Sequence, residues 1–137
     1  MTRNNLISQQ LKQDLFSELQ QLYERELQHK LSHISCRVFD RTLVIFLEGT
    51  VTPPERILAN NENQMLAREV RASLDRIIKP QIKSTIEKVL GMKIVDFLCD
   101  TTLDTDVTGA IVVFELESNK LESLESPELN SVPFTQG

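Results

Sequence analysis

The chain is poor in aromatic residues: among its 137 residues it has no tryptophan and one tyrosine. A stacking platform for single-stranded nucleic acid needs such side chains, so we do not expect this class of binder. The formal net charge of −5 also argues against a nucleic-acid partner, because surfaces that bind phosphate backbones are basic. Only four glycines are present and none stands in a phosphate-loop motif, which argues against the common nucleotide-binding signatures.

Long apolar runs are also absent. No segment approaches the roughly 20 apolar residues that a membrane-spanning helix requires. The first ten residues, MTRNNLISQQ, lack the apolar core of a signal peptide. We therefore expect a cytoplasmic protein whose contact with a membrane, if it has one, is peripheral and on the inner face.

Cysteine is scarce as well, since Cys36 and Cys99 are too few for a disulfide framework. Both lie in apolar, strand-like segments, which favours buried and unreactive thiols. A redox-sensitive pair is the alternative, and it requires that the two strands be neighbours in the sheet.

The sequence contains no clear catalytic constellation. His29 and His33 are four residues apart, a spacing that could bind a metal ion, but the sequence links no Glu or Asp to them. We therefore interpret them as ordinary residues at the junction of a helix and a strand. Asp100, Asp104 and Asp106 crowd one loop without the spacing of an EF-hand, and turn formation explains them. The residues therefore indicate no catalytic group, no metal ligand and no cofactor, and an uncharacterised enzyme is kept only as a third hypothesis.

Hydrophobic periodicity divides the chain into six regions. Leucines at near-helical spacing indicate a long first helix, while alternating or continuous apolar runs indicate four strands. We expect a helix over about residues 4–31, strands over Ile34–Phe39, Thr42–Glu48, Met92–Cys99 and Ala110–Leu116, and a helical segment over 52–91 between the strand pairs. The order α-β-β-α-β-β predicts an α+β fold with a four-stranded, mostly antiparallel sheet and helices on one face.

The central helical segment begins with a strong start signal. Thr52 can cap a helix N-terminus and Glu55 can complete a capping box, with prolines between them that suit the first turn. Asparagines then interrupt the pattern, so we expect a short helix at about Pro54–Ala59 and a longer one from about Glu62. Pro80 predicts a kink in the longer helix, because proline lacks an N–H and crowds the preceding turn.

The two faces of this longer helix differ in character. The face predicted to be buried carries Leu66, Val70, Leu74 and Ile77. The opposite face carries four candidates for contact with an acidic partner or an anionic ligand, which are Arg68, Arg71, Arg76 and Lys79. The alternative is a solvated face with internal pairs such as Asp75–Lys79, which is the commoner situation on exposed helices.

Two features predict a homodimer. The first helix is longer than a small sheet can cover, and the strand segment Leu43–Leu47 is apolar on both faces. The candidate dimer contacts are Leu15, Leu19, Leu22, Val44 and Phe46. For the helix, the alternative is that it simply lies along the sheet of its own chain.

The composition changes at Ser118, after which Ser, Glu and Pro dominate. Such a segment buries too little apolar surface to order itself. We therefore expect a single domain over residues 1–117 and a disordered acidic tail over residues 118–137.

One passage resembles a known bacterial family. Residues 40–55, DRTLVIFLEGTVTPPE, resemble the MpsC-like domain, which is named for protein C of a sodium-translocating, membrane-potential-generating system. The similarity continues through the Arg-containing helix, Gly91–Val95, Asp100 and the strand Ala110–Leu116, and covers about residues 5–117. The doubled proline at positions 53 and 54 departs from the single proline of the family pattern. The resemblance implies an association with a membrane ion or bicarbonate uptake system, and it supplies no catalytic residue.

These observations lead to an ordered set of hypotheses. The first is a non-enzymatic accessory or regulatory protein, homodimeric, that acts through protein contacts at a membrane transport or potential-generating complex. The alternative is a regulatory module that senses a small anion near the arginines of the central helix. An enzyme is third, and a DNA-binding protein is fourth because of the acidic charge.

Overall fold

The computed structural model describes residues 2–125 and 131–133, with the side chains of residues 9–125. In chain order the elements are α1 (Thr2–Leu27), β1 (His33–Phe39), β2 (Thr42–Glu48), α2 (Pro53–Asn60), α3 (Gln64–Leu90), β3 (Ile94–Thr102), β4 (Val107–Phe114), α4 (Asn119–Ser123) and β5 (Ser131–Pro133). The predicted α+β class and the order α-β-β-α-β-β are confirmed, and the expected split of the central segment into a short and a long helix is found.

The sheet is antiparallel throughout, with the strand order β3-β4-β2-β1-β5. The β1–β2 hairpin turns at Asp40, whose φ of 53° is a left-handed conformation that Asp tolerates better than most residues. The helices α2 and α3 carry the chain across the sheet, so that β4 pairs with β2. The predicted four-stranded sheet is therefore confirmed, and the three-residue β5 extends it at the β1 edge.

One face of the sheet forms the core. Alternate residues of β1, β2 and β4 point to this inner face and are buried, as expected for half-covered antiparallel strands. The helices α1 and α3 lie across it. Among the buried side chains are Ile34, Leu43, Ile45, Leu47, Val112 and Phe114 from the strands and Leu15, Phe16, Leu19, Leu22 and Tyr23 from α1.

The buried stripe of α3 differs from the prediction. Leu66 and Ile77, expected to be buried, are 45% and 51% exposed. The residues that are buried follow one another at intervals of four, four, three, four, four and four, and they are Ala67, Arg71, Asp75, Ile78, Ile82, Ile86 and Leu90. The prediction was wrong because two charged residues occupy the stripe, and a hydrophobic pattern cannot recognise charges that are buried in pairs. The helix runs without interruption through Pro80, and the bend expected there stays a prediction.

The segment after Ser118 is ordered where the structure describes it, which corrects the expected disorder. Leu121 and Leu124, on α4 and directly after it, are fully buried in the core. Glu125 accepts a hydrogen bond from the Val38 backbone N–H at the edge of β1, and β5 pairs with residues 33–35. The two leucines bury enough apolar surface to fix this short helix, a signal that the polar average composition hides. Residues 126–130 and 134–137 of the predicted tail lie outside the described residues.

Candidate functional site

A buried ion cluster joins the two helices of the crossover. The Arg71 guanidinium in α3 donates to both carboxylate oxygens of Glu55 in α2, with Nε–Oε2 and Nη2–Oε1 distances of 2.7 and 2.6 Å. Nη2 also donates to the Thr50 carbonyl at 3.0 Å, and the remaining nitrogen, Nη1, donates to Asp75 Oδ1 at 3.1 Å. All three charged residues are buried. A bidentate arginine–carboxylate pair of this kind fixes the mutual orientation of the elements that carry it.

Glu55 also accepts hydrogen bonds from the loop that precedes α2. Its Oε1 accepts from the Thr52 backbone N–H at 3.0 Å and from Thr52 Oγ1 at 2.9 Å. The predicted link between Thr52 and Glu55 at the start of α2 is thus present, but Glu55 also turns inward to Arg71. We call Thr52, Glu55, Arg71 and Asp75 the buried clamp, because together they tie the end of β2 to α2 and α3.

The charge of Arg71 is secured by its partners. Burial alone would lower the pKa of Arg71, but the hydrogen bonds and negative charges of Glu55 and Asp75 outweigh burial and raise this pKa. The guanidinium therefore stays protonated and donates hydrogen bonds to both carboxylates. Removal of one partner from such a buried network is strongly destabilising, because it leaves a buried charge without compensation.

Hydroxyl groups continue the polar interior next to the clamp. Thr108 Oγ1 donates to Thr50 Oγ1 at 2.9 Å and shares a hydrogen bond of 2.6 Å with Thr101 Oγ1. The Tyr23 hydroxyl is buried close to Thr108 and has no hydrogen-bond partner in the described part of the chain. Burial raises the pKa of Tyr23, so the hydroxyl keeps its proton.

A cleft opens where the clamp meets solvent, between α3 and the β3–β4 hairpin. One cavity of about 360 Å³ is lined by Arg68, Arg71 and Asp75 from α3 and by Asp100 and Asp104 from the hairpin. A second cavity, of about 460 Å³, follows along α3 and is lined by Ala72, Asp75, Arg76, Lys79, Pro80 and Asp100. Both charge signs thus face the cleft.

The four predicted basic residues do not form one face. Arg71 points inward and is held by Glu55 and Asp75, so it is not part of an exposed surface. The expected Asp75–Lys79 pair is wrong, because Asp75 pairs with Arg71 instead. Arg68 and Arg76 are exposed and Lys79 is half-buried, and none of the three forms an ion pair with a described residue. We call Arg68, Arg76 and Lys79 the basic row.

The predicted dimer contacts also separate into two groups. Leu15, Leu19 and Leu22 lie in the core of their own chain with essentially no exposed surface, so they cannot meet a second copy. For α1 the alternative interpretation, a helix that lies along the sheet, therefore holds. Val44 and Phe46 lie on the opposite face of the sheet, which the helices leave uncovered, and Phe46 is 46% exposed.

The cysteines lie too far apart to react with each other. Cys36 is in β1 and Cys99 in β3, and the sheet places β2 and β4 between them. Three strand spacings amount to about 14 Å, well beyond the reach of a disulfide. Burial raises the pKa of both thiols to about 11, which makes them unreactive at neutral pH.

The two histidines and the loop residue Asp106 have structural partners. His29 Nε2 lies 2.6 Å from the Gly49 carbonyl oxygen and His33 Nδ1 lies 2.6 Å from Glu48 Oε2. Asp106 accepts from the Val51 backbone N–H at 2.7 Å and pairs with Arg56, so it supports the loop that leads to α2. Over the described residues, no three or more His, Cys, Asp or Glu side chains form a group that could hold a metal ion.

The sequence reasoning missed the buried clamp, although one signal was present. The central helix carries Arg71 and Asp75 at four-residue spacing, in line with Ala67, Ile78 and Ile82 on a single stripe. An arginine and an aspartate that continue an apolar stripe indicate a buried ion pair rather than a solvated face. The third partner, Glu55, has the sequence pattern of a helix cap, and nothing local in the sequence indicates that it also pairs with Arg71.

Comparison with known proteins gives one match. A family model described as the Na+-translocating membrane potential-generating system (MpsC) matches residues 8–116 of the chain. Neither the curated proteins nor the solved structures include a significant match. No helix in the described part of the chain is both long enough and apolar enough to cross a membrane.

Proposed function

The chain belongs to the MpsC family, and on that premise we propose that it is a non-enzymatic accessory or regulatory protein of a membrane-potential-generating or ion and bicarbonate transport complex. It acts through protein contacts, on the cytoplasmic side and peripheral to the membrane. Two copies act together in this proposal, joined through the sheet face that carries Val44 and Phe46.

The observation that carries the proposal is the basic row on α3. Arg68, Arg76 and Lys79 lie beside the cleft without an ion-pair partner among the described residues, in a chain whose net charge is −5. The buried clamp holds the helix that presents them. Fixed positive charges on an acidic protein favour an acidic segment of a partner, because complementary charges steer association and select the partner.

Affinity capture from detergent-solubilised cells of the native host, read by quantitative mass spectrometry, tests this proposal. The test variant combines Arg68→Glu, Arg76→Glu and Lys79→Glu, and it leaves Arg71 intact because the fold depends on it. The matched control combines Arg25→Glu, Lys30→Glu and Lys88→Glu, three exposed cations away from the cleft that give the same change in net charge.

We expect the wild type and the control to retain subunits of an ion-transporting membrane complex, and the test variant to lose them. If wild type and test variant capture the same set of proteins, or if no membrane subunit is enriched, the proposed contact is contradicted. The matched control separates loss of the basic row from a general effect of added negative charge.

The alternative function, sensing of a small anion, is favoured by the cavity beside Arg68. Its volume of about 360 Å³ lies in the range of small-molecule sites, and the exposed guanidinium of Arg68 is the group at its wall that would bind a carboxylate, bicarbonate or phosphate, against the carboxylates of Asp100 and Asp104 in the same lining. Thermal shift against a panel of these anions tests it. Binding to the native state at about 100 times the dissociation constant adds about 2.7 kcal/mol to stability, so an unchanged melting temperature in millimolar anion contradicts this alternative.

A further inference from the structure

The outer face of the sheet is largely apolar, although none of the described helices covers it. The register brings the outward side chains of four strands into rows, and one row contains Leu98, Ile111, Val44 and Arg37 in order from β3 to β1. Phe46 lies in the next row, on the same strand as Val44. Leu98 and Ile111 are 64% and 44% exposed. The solvated face of an antiparallel sheet is normally polar, so an apolar outer face indicates a surface that another molecule covers.

Charged residues lie at the two sides of this outer face and have opposite signs. Arg37 projects from β1 on one side, and Asp96 and Asp100 project from β3 on the other. The exposed ion pair of Arg37 with Glu125 is long, at 3.8 Å, and pairs of that kind contribute little. Between the two sides, the middle strands present mainly apolar side chains.

The charges make the outer face complementary to the same face of a second copy of the chain, in one orientation of the two. Two sheets that stack face to face about a two-fold axis parallel to the strands place β3 of each copy over β1 of the other. Arg37 of each copy then lies opposite the partner's Asp96 and Asp100, and the apolar middles meet. A two-fold axis perpendicular to the strands would place like charges together instead. An isologous interface requires this kind of self-complementarity.

The free edges of the sheet do not offer an equivalent contact. The edge of β1 is occupied by β5 and by Glu125. The edge strand β3 has an irregular register between Ile94 and Asp96, and Asp96 and Asp100 project from it. Bulges and charged residues are the usual means by which edge strands avoid pairing with another chain. Stacking of faces is therefore favoured over extension of the sheet.

The size of the face suits a modest interface. Four strands at about 4.8 Å spacing and seven residues at about 3.3 Å give a planar area of roughly 400 Å² per copy. The accessible surface of side chains exceeds the planar area, so the total from both copies approaches the roughly 1,200 Å² at the lower end of stable interfaces. Aligned stacking of two sheets, with strands about 30° apart, is a common packing mode that fits this geometry.

We infer that two copies of the chain stack through their outer sheet faces, with Val44, Phe46 and Ile111 at the centre and Arg37 opposite the partner's Asp96 and Asp100. The inference rests on the homodimer of the proposed function and specifies its interface. Arg68 and Arg76 of the basic row line cavities beside α3 and stay free in this arrangement, whereas Lys79 also lines a cavity with Val44, Phe46 and Leu98 of the outer face.

Sedimentation velocity of the purified full chain tests the apolar centre of the interface. The measurement covers about 1 to 100 µM, a range that spans the affinity expected of an interface of this size. The test variant is Phe46→Glu. The matched control is Met65→Glu, which places the same charge at an exposed apolar residue of α3. We expect Phe46→Glu to raise the dimer dissociation constant about 100-fold, tenfold at each of the two symmetric positions, and Met65→Glu to leave it unchanged. Circular dichroism confirms that each variant is folded.

A charge reversal tests the orientation. Arg37→Glu alone should weaken the dimer about tenfold, and adding Asp96→Arg and Asp100→Arg should restore it, because each pair then reappears with reversed sign. A strictly monomeric wild type, or a dimer that Phe46→Glu leaves intact, would overturn the inference. Failure of the reversed triple variant to recover would overturn the orientation. Capture of the membrane complex through the basic row is measured separately, so a failed dimer and a failed accessory function remain distinguishable.

Discussion

The two faces of the sheet are both apolar, but only one is filled by the chain itself. On β2, Leu43, Ile45 and Leu47 point inward and are buried under α1 and α3, while Val44 and Phe46 point outward and remain half-exposed or exposed. The inner face also contains the buried clamp, whose charges are all paired. An apolar run on a central strand therefore indicates two packing surfaces, and hydrophobicity alone does not say which molecule covers each.

Substitution of Arg71 in the buried clamp should lower the stability of the fold more than any other change proposed here. Arg71→Met leaves the buried carboxylates of Glu55 and Asp75 without their cation, and we expect the free energy of unfolding to fall by about 3–5 kcal/mol. Urea denaturation monitored by circular dichroism measures it. The exposed neighbour provides the control, since Arg68→Met should change stability by no more than about 0.5 kcal/mol. Equal stability of the two variants would contradict the role of the clamp.

Adjacent residues of β2 sharpen the contrast between the faces. Ile45→Ala opens a cavity in the core and should cost about 2–5 kcal/mol. Val44→Ala, one residue away on the outer face, should cost less than about 1 kcal/mol when measured at a concentration where the chain is monomeric. Urea denaturation at low and high protein concentration compares them. A cost for Val44→Ala that grows with protein concentration would mean that the outer face is covered in the dimer.

The smallest expected effect concerns the thiols on the inner side. Burial raises the pKa of Cys36 and Cys99 to about 11, above the value of 9.0 for an unperturbed thiol. The unfolded chain therefore releases these protons at a lower pH than the folded chain does, so their contribution to stability is complete below about pH 9 and is lost as the pH rises towards 11. The urea midpoint followed from pH 7 to 11 should fall less steeply in Cys36→Ala than in the wild type, and parallel profiles would contradict this assignment.

Prediction from the sequence succeeded where a pattern has one structural meaning. The alternation in β1 predicts a strand and its buried face, the apolar run of β2 predicts a strand, and the Thr52–Glu55 signal predicts the start of α2. The prediction failed on α3, because Arg71 and Asp75 have the pattern of exposed charges. They are buried because Glu55, 16 residues before Arg71 in the chain, lies beside Arg71 in the fold. It also failed after Ser118, where Leu121 and Leu124 alone outweigh a polar composition. Contacts between distant segments decide both cases, and the local pattern gives only an indirect signal of them, such as the position of Arg71 and Asp75 on the apolar stripe of α3.

The position of α4 has a consequence for folding during synthesis. Leu121 and Leu124 complete a core whose other members lie between Leu15 and Phe114, and they lie beyond residues 8–116, which the family model matches. A nascent chain folds from its N-terminal end as it emerges from the ribosome. The sheet and the long helices of this protein therefore leave the ribosome with an unfilled apolar gap between α1 and β1. That gap stays open until Leu121 and Leu124 have also emerged, so the core closes only when the short segment between Phe114 and Glu125 has left the ribosome.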